Sequence, residues 1–115
     1  ILMRSTSASK YKSDISRTYD MDYGNKLLEL PIATWIDKAE FERYAKKESE
    51  HPPIRHFGMI AEDLADAGLE MLVTRNESGE LEGIQYDRIA PALIPVIADL
   101  KRRLENLERK QQTNE

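Results

Sequence analysis

A chain of 115 residues, 40% apolar and 33% charged with a net charge of −4, suits one small domain with a lean core. The acidic balance argues against nucleic acid or an anionic membrane as the main partner. The absence of cysteine excludes disulfide staples and thiolate metal sites. No apolar run is long enough to span a bilayer, and no signal segment opens the chain. The first residue is Ile1, so the chain reads as a piece cut from a longer protein.

In chain order, Ile1 to Ser13 are rich in Ser, Thr, Lys and Arg and read as an exposed, weakly structured lead. A short helix is expected from Tyr23 to Leu30, stopped by Pro31. Ile32 to Ile36 reads as a strand of β-branched and aromatic residues. Lys38 to Glu50 is strongly charged and predicts a solvated helix or excursion, broken by His51-Pro52-Pro53. Phe57 to Leu64 is the next ordered stretch, with a helix running on to Ala67 and Gly68 as its left-handed terminal residue. Met71-Leu72-Val73 predicts a strand and Asn76 to Gly79 a turn. Ile84-Gln85-Tyr86 is then the returning strand of a β-hairpin.

The last thirty residues carry the clearest periodicity. Leu93, Ile97, Leu100, Leu104 and Leu107 are spaced 4, 3, 4, 3, the alternation that a coiled coil requires. With Leu93, Leu100 and Leu107 at d, the a positions are Ala90, Ile97, Leu104 and Gln111. Lys101, Arg103, Glu108 and Lys110 then flank the seam at e and g. Ile94 and Val96 widen the apolar face of the first heptad, which predicts a helix that starts against the globular part and ends as a free coil. Pro91 and Pro95 predict a kink or a late start. The pattern supports self-association without counting the partners; a single amphipathic helix packed on its own domain is the competing reading.

Familiar catalytic constellations are mostly missing from the sequence: there is no phosphate-binding glycine loop, nucleophile elbow or paired-histidine zinc motif. His51 and His56 are five residues apart and read as surface or core residues; no metal and no cofactor is expected. Glu62 and Asp63 read as acids serving a helix N-terminus, and Trp35 as a core anchor.

The amino-terminal serines and lysines gain meaning only beside the later segments. These are Ser7, Lys12 and Ile15 in the pattern Ser-x-x-x-x-Lys-x-x-Ile, then Leu28-Glu29-Leu30-Pro31 before a strand, then Phe57-Gly58-Met59-Ile60-Ala61-Glu62-Asp63-Leu64. Ile84-Gln85-Tyr86-Asp87-Arg88-Ile89 and the terminal heptads follow. In this order they resemble the C-terminal intramolecular chaperone of endosialidases, a self-cleaving serine peptidase. The same module ends many phage tail spikes, tail fibres and neck appendages, and occurs in a membrane-bound myelin transcription regulator. The resemblance spans nearly the whole chain from Ser7 onward.

The resemblance implies an α+β fold: a small, mainly helical domain with short strands and a β-hairpin, ending in a trimeric coiled-coil helix. Residues 1–6 would end the passenger fibre, 7–89 form the globular part and 90–115 the coil. It implies a homotrimer whose partner is the attached fibre or spike, with no nucleic acid and no membrane involved. The setting would be a virion tail precursor assembled in the host cytoplasm, the domain being released after cleavage. Ser7 would be the nucleophile and Lys12 the general base, with Thr6–Ser7 the scissile bond and Leu93, Ile97, Leu100, Leu104 and Leu107 the trimer interface. The family often has Asp after the serine, where this chain has Ala8. Ser5 and Lys10 share the same spacing but lack the following isoleucine.

A serine hydroxyl attacks only when a neutral base takes its proton. Bringing a lysine from about 10.4 to about 7 disfavours its charged form by roughly 4–5 kcal/mol, which calls for burial. A five-residue separation matches neither a helix face nor a strand face, so such a pair meets in a turn or across chains. Two further readings stand beside this one: a trimeric end-cap without proteolysis, and a coiled-coil adaptor for a foreign helix.

Overall fold

The structure is a computed structural model and describes residues 7–113. It is α+β, with two small antiparallel ribbons and a long C-terminal helix. The lead, residues 7–20, is exposed throughout and contains a 3-10 turn at Ser9–Tyr11.

Helix α1, Asp22–Leu28, appears where expected. An Asp22–Lys26 ion pair at 3.3 Å lies along its surface, and Leu27 turns inward while Leu28 faces solvent. Strand β1, Ala33–Ile36, follows Pro31. The charged stretch forms helix α2, Lys38–Ala45, whose Asp37 carboxylate accepts the Ala39 N–H at 2.9 Å as an N-cap. No α2 residue is buried: it is a solvated helix.

Strand β2, Arg55–Gly58, pairs with β1 in the register Trp35 to His56 and Ala33 to Gly58. Its sequence carries two polar residues and a glycine, which is why β propensity did not mark it; the pairing with β1 supplies the strand. Helix α3, Ala61–Asp66, then leads into Gly68 at φ 82°. Gly68 N–H donates to Ala65 O and Leu69 N–H to Leu64 O, each at 3.0 Å. That is the Schellman closure, and its apolar pair Leu64 and Leu69 is fully buried.

The expected strand at Met71-Leu72-Val73 is displaced. Glu70–Leu72 is a 3-10 turn that buries Leu72, and strand β3 begins only at Val73, running to Arg75. The returning strand β4 is Leu81–Ile84, so Gln85 and Tyr86 lie beyond it. Burial decides this, because Leu72 and Val73 are both inside and adjacent residues of one regular strand face opposite ways. Gly79, at φ 84°, closes the hairpin. Beside it, the Arg75 guanidinium hydrogen-bonds Glu70 at 2.7 and 3.1 Å and holds that carboxyl below its usual range.

Helix α4, Ile89–Thr113, starts without delay and runs through Pro95. Pro91 sits in the first turn, where its missing N–H has no intrahelical partner to lose. The core is the cluster of Leu27, Met59, Leu64, Leu69, Leu72 and Val73, with Ala92 and Leu93 of α4 packed against it. At the α1–α4 crossing, a Cβ on Gly24 would lie 2.5 Å from both Ala92 O and Val96 Cγ2. Gly24→Ala is therefore expected to push the helices apart and to destabilise the chain by about 1–3 kcal/mol, read as a lower urea midpoint. An unchanged midpoint would show that the crossing adjusts freely.

The packed region is small for the chain. The chain as a whole exposes 10045 Å² and extends 68 × 42 × 27 Å. A compact monomer of 13.3 kDa exposes roughly 6,500 Å², so this one presents about 1.5 times the usual surface.

Candidate functional site

Two regions matter: the lead that holds Ser7 and Lys12, and the outer face of α4. The 3-10 turn lies between Ser7 and Lys12. Tyr11 N–H donates to Ala8 O at 3.1 Å and Lys12 N–H to Ser9 O at 3.0 Å. Lys12 leaves the turn in an extended conformation. A turn between the two residues is the local shape that their spacing calls for. Both are exposed in the single chain, whereas a general-base lysine requires dry surroundings. Thr6, and with it the Thr6–Ser7 bond, lies outside the described residues.

Along α4 the five seam residues divide. Leu93 is half-buried against the domain core. Ile97, Leu100, Leu104 and Leu107 are 55–60% exposed. α4 is held to its own domain over its first turns, through Ile89, Ala92, Leu93 and Val96. At 3.6 residues per turn, the bare stripe of the later turns is centred about 50° around the helix from those contacts, so it continues the side that Leu93 begins. Val96, one of the two residues that widen the apolar face of the first heptad, packs under Gly24 of the globular part, as expected of a helix that starts against it; Ile94, the other, is exposed. The single-helix reading thus fits the first turns of α4, and its later turns are left without cover from the described part of their own chain.

Charges reinforce this division. Asp99, the buried acid on the docked side, pairs with Arg102 and with Arg103 Nε, the latter at 3.0 Å. Lys101 lies 3.8 Å from Glu105. These pairs run along the helix and leave the leucine stripe uncrossed.

The sequence reading missed a cleft of about 330 Å³ between the two ribbons, walled by Trp35, Met59, Ile84 and Tyr86 with Glu62 and Glu82 beside them. Trp35 is half-buried and no core anchor. Its ring stacks on His56 at 6.2 Å between centroids, and His56 Nε2 lies 3.4 Å from Glu40 Oε1, tying α2 to β2. Tyr86 Oη accepts the Met59 N–H at 3.0 Å. Separate segments build this cleft, so only the Gly58 signal in Phe57-Gly58-Met59 hinted that something passes close to the backbone there.

Among the described residues no group of three or more His, Cys, Asp or Glu is placed to hold a metal ion. No helix among them is long and apolar enough to cross a membrane. No protein-family model matches the chain, and no curated protein matches it either.

Proposed function

We propose that this chain is a self-removing assembly domain: three copies join through α4, bring three attached fibre or spike chains into register, and then cut themselves off near Ser7. The observation that carries the reading is the bare stripe Ile97, Leu100, Leu104 and Leu107, which runs on beyond the turns that dock α4 on its own domain. The domain covers the apolar side of α4 over its first turns, and a second partner would cover the rest. The large exposed surface points the same way, since an assembly supplies burial that a short chain lacks.

Ser7 and Lys12 flank a turn. Ser7 Oγ would attack the carbonyl of the preceding residue, its proton passing to neutral Lys12 Nζ. The acyl group would move from the Ser7 nitrogen to Oγ as the Lys12 ammonium returns the proton to the freed Ser7 amine. Water would then hydrolyse the ester, leaving a carboxylate on the preceding residue and restoring the Ser7 hydroxyl. Because Lys12 is exposed in one chain, its drying is assigned to assembly, which couples cutting to correct association. Holding three slow-folding fibre chains at one end raises their effective concentration and favours in-register pairing over aggregation.

The test is to express the domain behind a fibre segment, unaltered and as Ser7→Ala, and to run denaturing gels. Two bands for the unaltered chain and one for the variant support self-cleavage. One band for both supports a permanent cap. Sedimentation of the isolated domain separates a homotrimer from an adaptor awaiting a foreign helix.

A further inference from the structure

The cleft between the ribbons has no cation among its lining residues, although two carboxylates stand beside its aromatic rings. We propose that it receives a lysine or arginine side chain from the exposed lead of a second copy of this chain. This rests on the self-assembly reading for its source, but not for its chemistry. An ammonium or guanidinium is attracted by ring faces and by carboxylates alike, and a cleft with both kinds of wall suits it better than a neutral or anionic group.

The walls are set before any guest arrives. A Cβ on Gly58 would lie 2.5 Å from Tyr86 Oη and 3.0 Å from Trp35 Cη2. The missing side chain therefore lets both rings close over the same point of β2. Tyr86 is held there by the Met59 N–H, and Glu82 by the Asn76 side-chain amide at 3.0 Å. Groups already in place lose little freedom on binding, so more of the contact energy remains.

Charge complementarity favours the lead as the source. The lead carries Lys10, Lys12 and Arg17 against Asp14 over residues 7–17, is exposed throughout, and contributes nothing to the lining of the cleft in its own chain. Lys10 Nζ already lies 5.1 Å from the centroid of the Tyr11 ring, so a lead cation over an aromatic face is a geometry this segment adopts. Docking in the neighbour's cleft would hold the lead, and with it the Ser7–Lys12 turn, at the boundary between copies.

Trp35 is the only tryptophan and reports on the cleft directly. Its acrylamide quenching is measured from about 0.1 to 100 µM protein, across the range where weak self-association develops. The unaltered chain is compared with Lys10→Gln/Arg17→Gln and with Glu62→Gln/Glu82→Gln, each sedimented in parallel. The quenching constant is expected to fall at least about twofold on assembly of the unaltered chain and to stay high in both assembled variants. Equal shielding in all three, or shielding in none, overturns the proposal. If the unaltered chain stays monomeric, the self-assembly reading fails by itself. The cleft is then tested with a synthetic peptide of residues 7–20 in trans at up to about 1 mM. Saturable shielding lost with Glu62→Gln/Glu82→Gln keeps the cation site, and no shielding removes it.

Discussion

Replacing Leu100 and Leu104 with aspartate is expected to leave the domain folded but monomeric. Both residues are more than half exposed and lie outside the core cluster, so within one chain the double change removes little packing. In an assembly the same positions meet their own copies. Burying the four bare seam residues contributes on the order of 3–5 kcal/mol per chain, since each is already partly covered and full burial of such a side chain brings about 1.5–3 kcal/mol. Aspartates there lose that gain and place carboxylates of like charge in an apolar seam. The dissociation constant should rise by at least about a thousandfold, seen as one slow species in sedimentation with the near-ultraviolet signal of the domain unchanged. An attached fibre segment should then become insoluble. A soluble trimeric passenger from the double variant would count against the assembly role, and loss of the tertiary signal would show that the stripe serves the domain itself.

Substituting the proposed nucleophile is expected to give the second large effect. Ser7→Ala should lower self-cleavage by at least about a thousandfold, because an alanine cannot form the acyl intermediate. Lys12→Met should act similarly, keeping the apolar stem while deleting the base. Ser5→Ala is the control, since Ser5 and Lys10 share the five-residue separation. If the control abolishes cutting and Ser7→Ala does not, the chemistry belongs to the earlier pair. The Leu100→Asp/Leu104→Asp chain should also remain uncut, because its lysine would stay in water. Normal cutting by a stable monomer would separate the chemistry from assembly.

Much of the architecture was legible because local signals coincide with it. Pro31 ends α1, Asp37 caps a charged helix, Gly68 sits where a left-handed residue closes α3, and the heptad leucines mark α4. The misreadings share one physical cause, which is that tertiary contacts outrank local preference. Val73 alone of the apolar triplet enters a strand because Leu72 is drawn into the core by a 3-10 turn. His56 and Phe57 become a strand through pairing with Trp35 and Thr34, a partnership more than twenty residues away that periodicity does not register. At the amino end a 3-10 turn lies between Ser7 and Lys12, but a residue pattern carries no information on what surrounds an exposed segment.

The distal part of α4 has a consequence for how the domain behaves on dilution. From Leu100 to Thr113 the helix is exposed on every side, and an isolated helix of that length is marginal in water. Its intrahelical pairs, such as Lys101 with Glu105, add only about 0.2–0.5 kcal/mol each. Far-ultraviolet ellipticity per residue should therefore decline as the solution is thinned, and the amides of the final turns should trade hydrogen for deuterium long before those near Ala92. Coil formation and strand-to-strand encounter would then be one thermodynamic event, followed optically without any label.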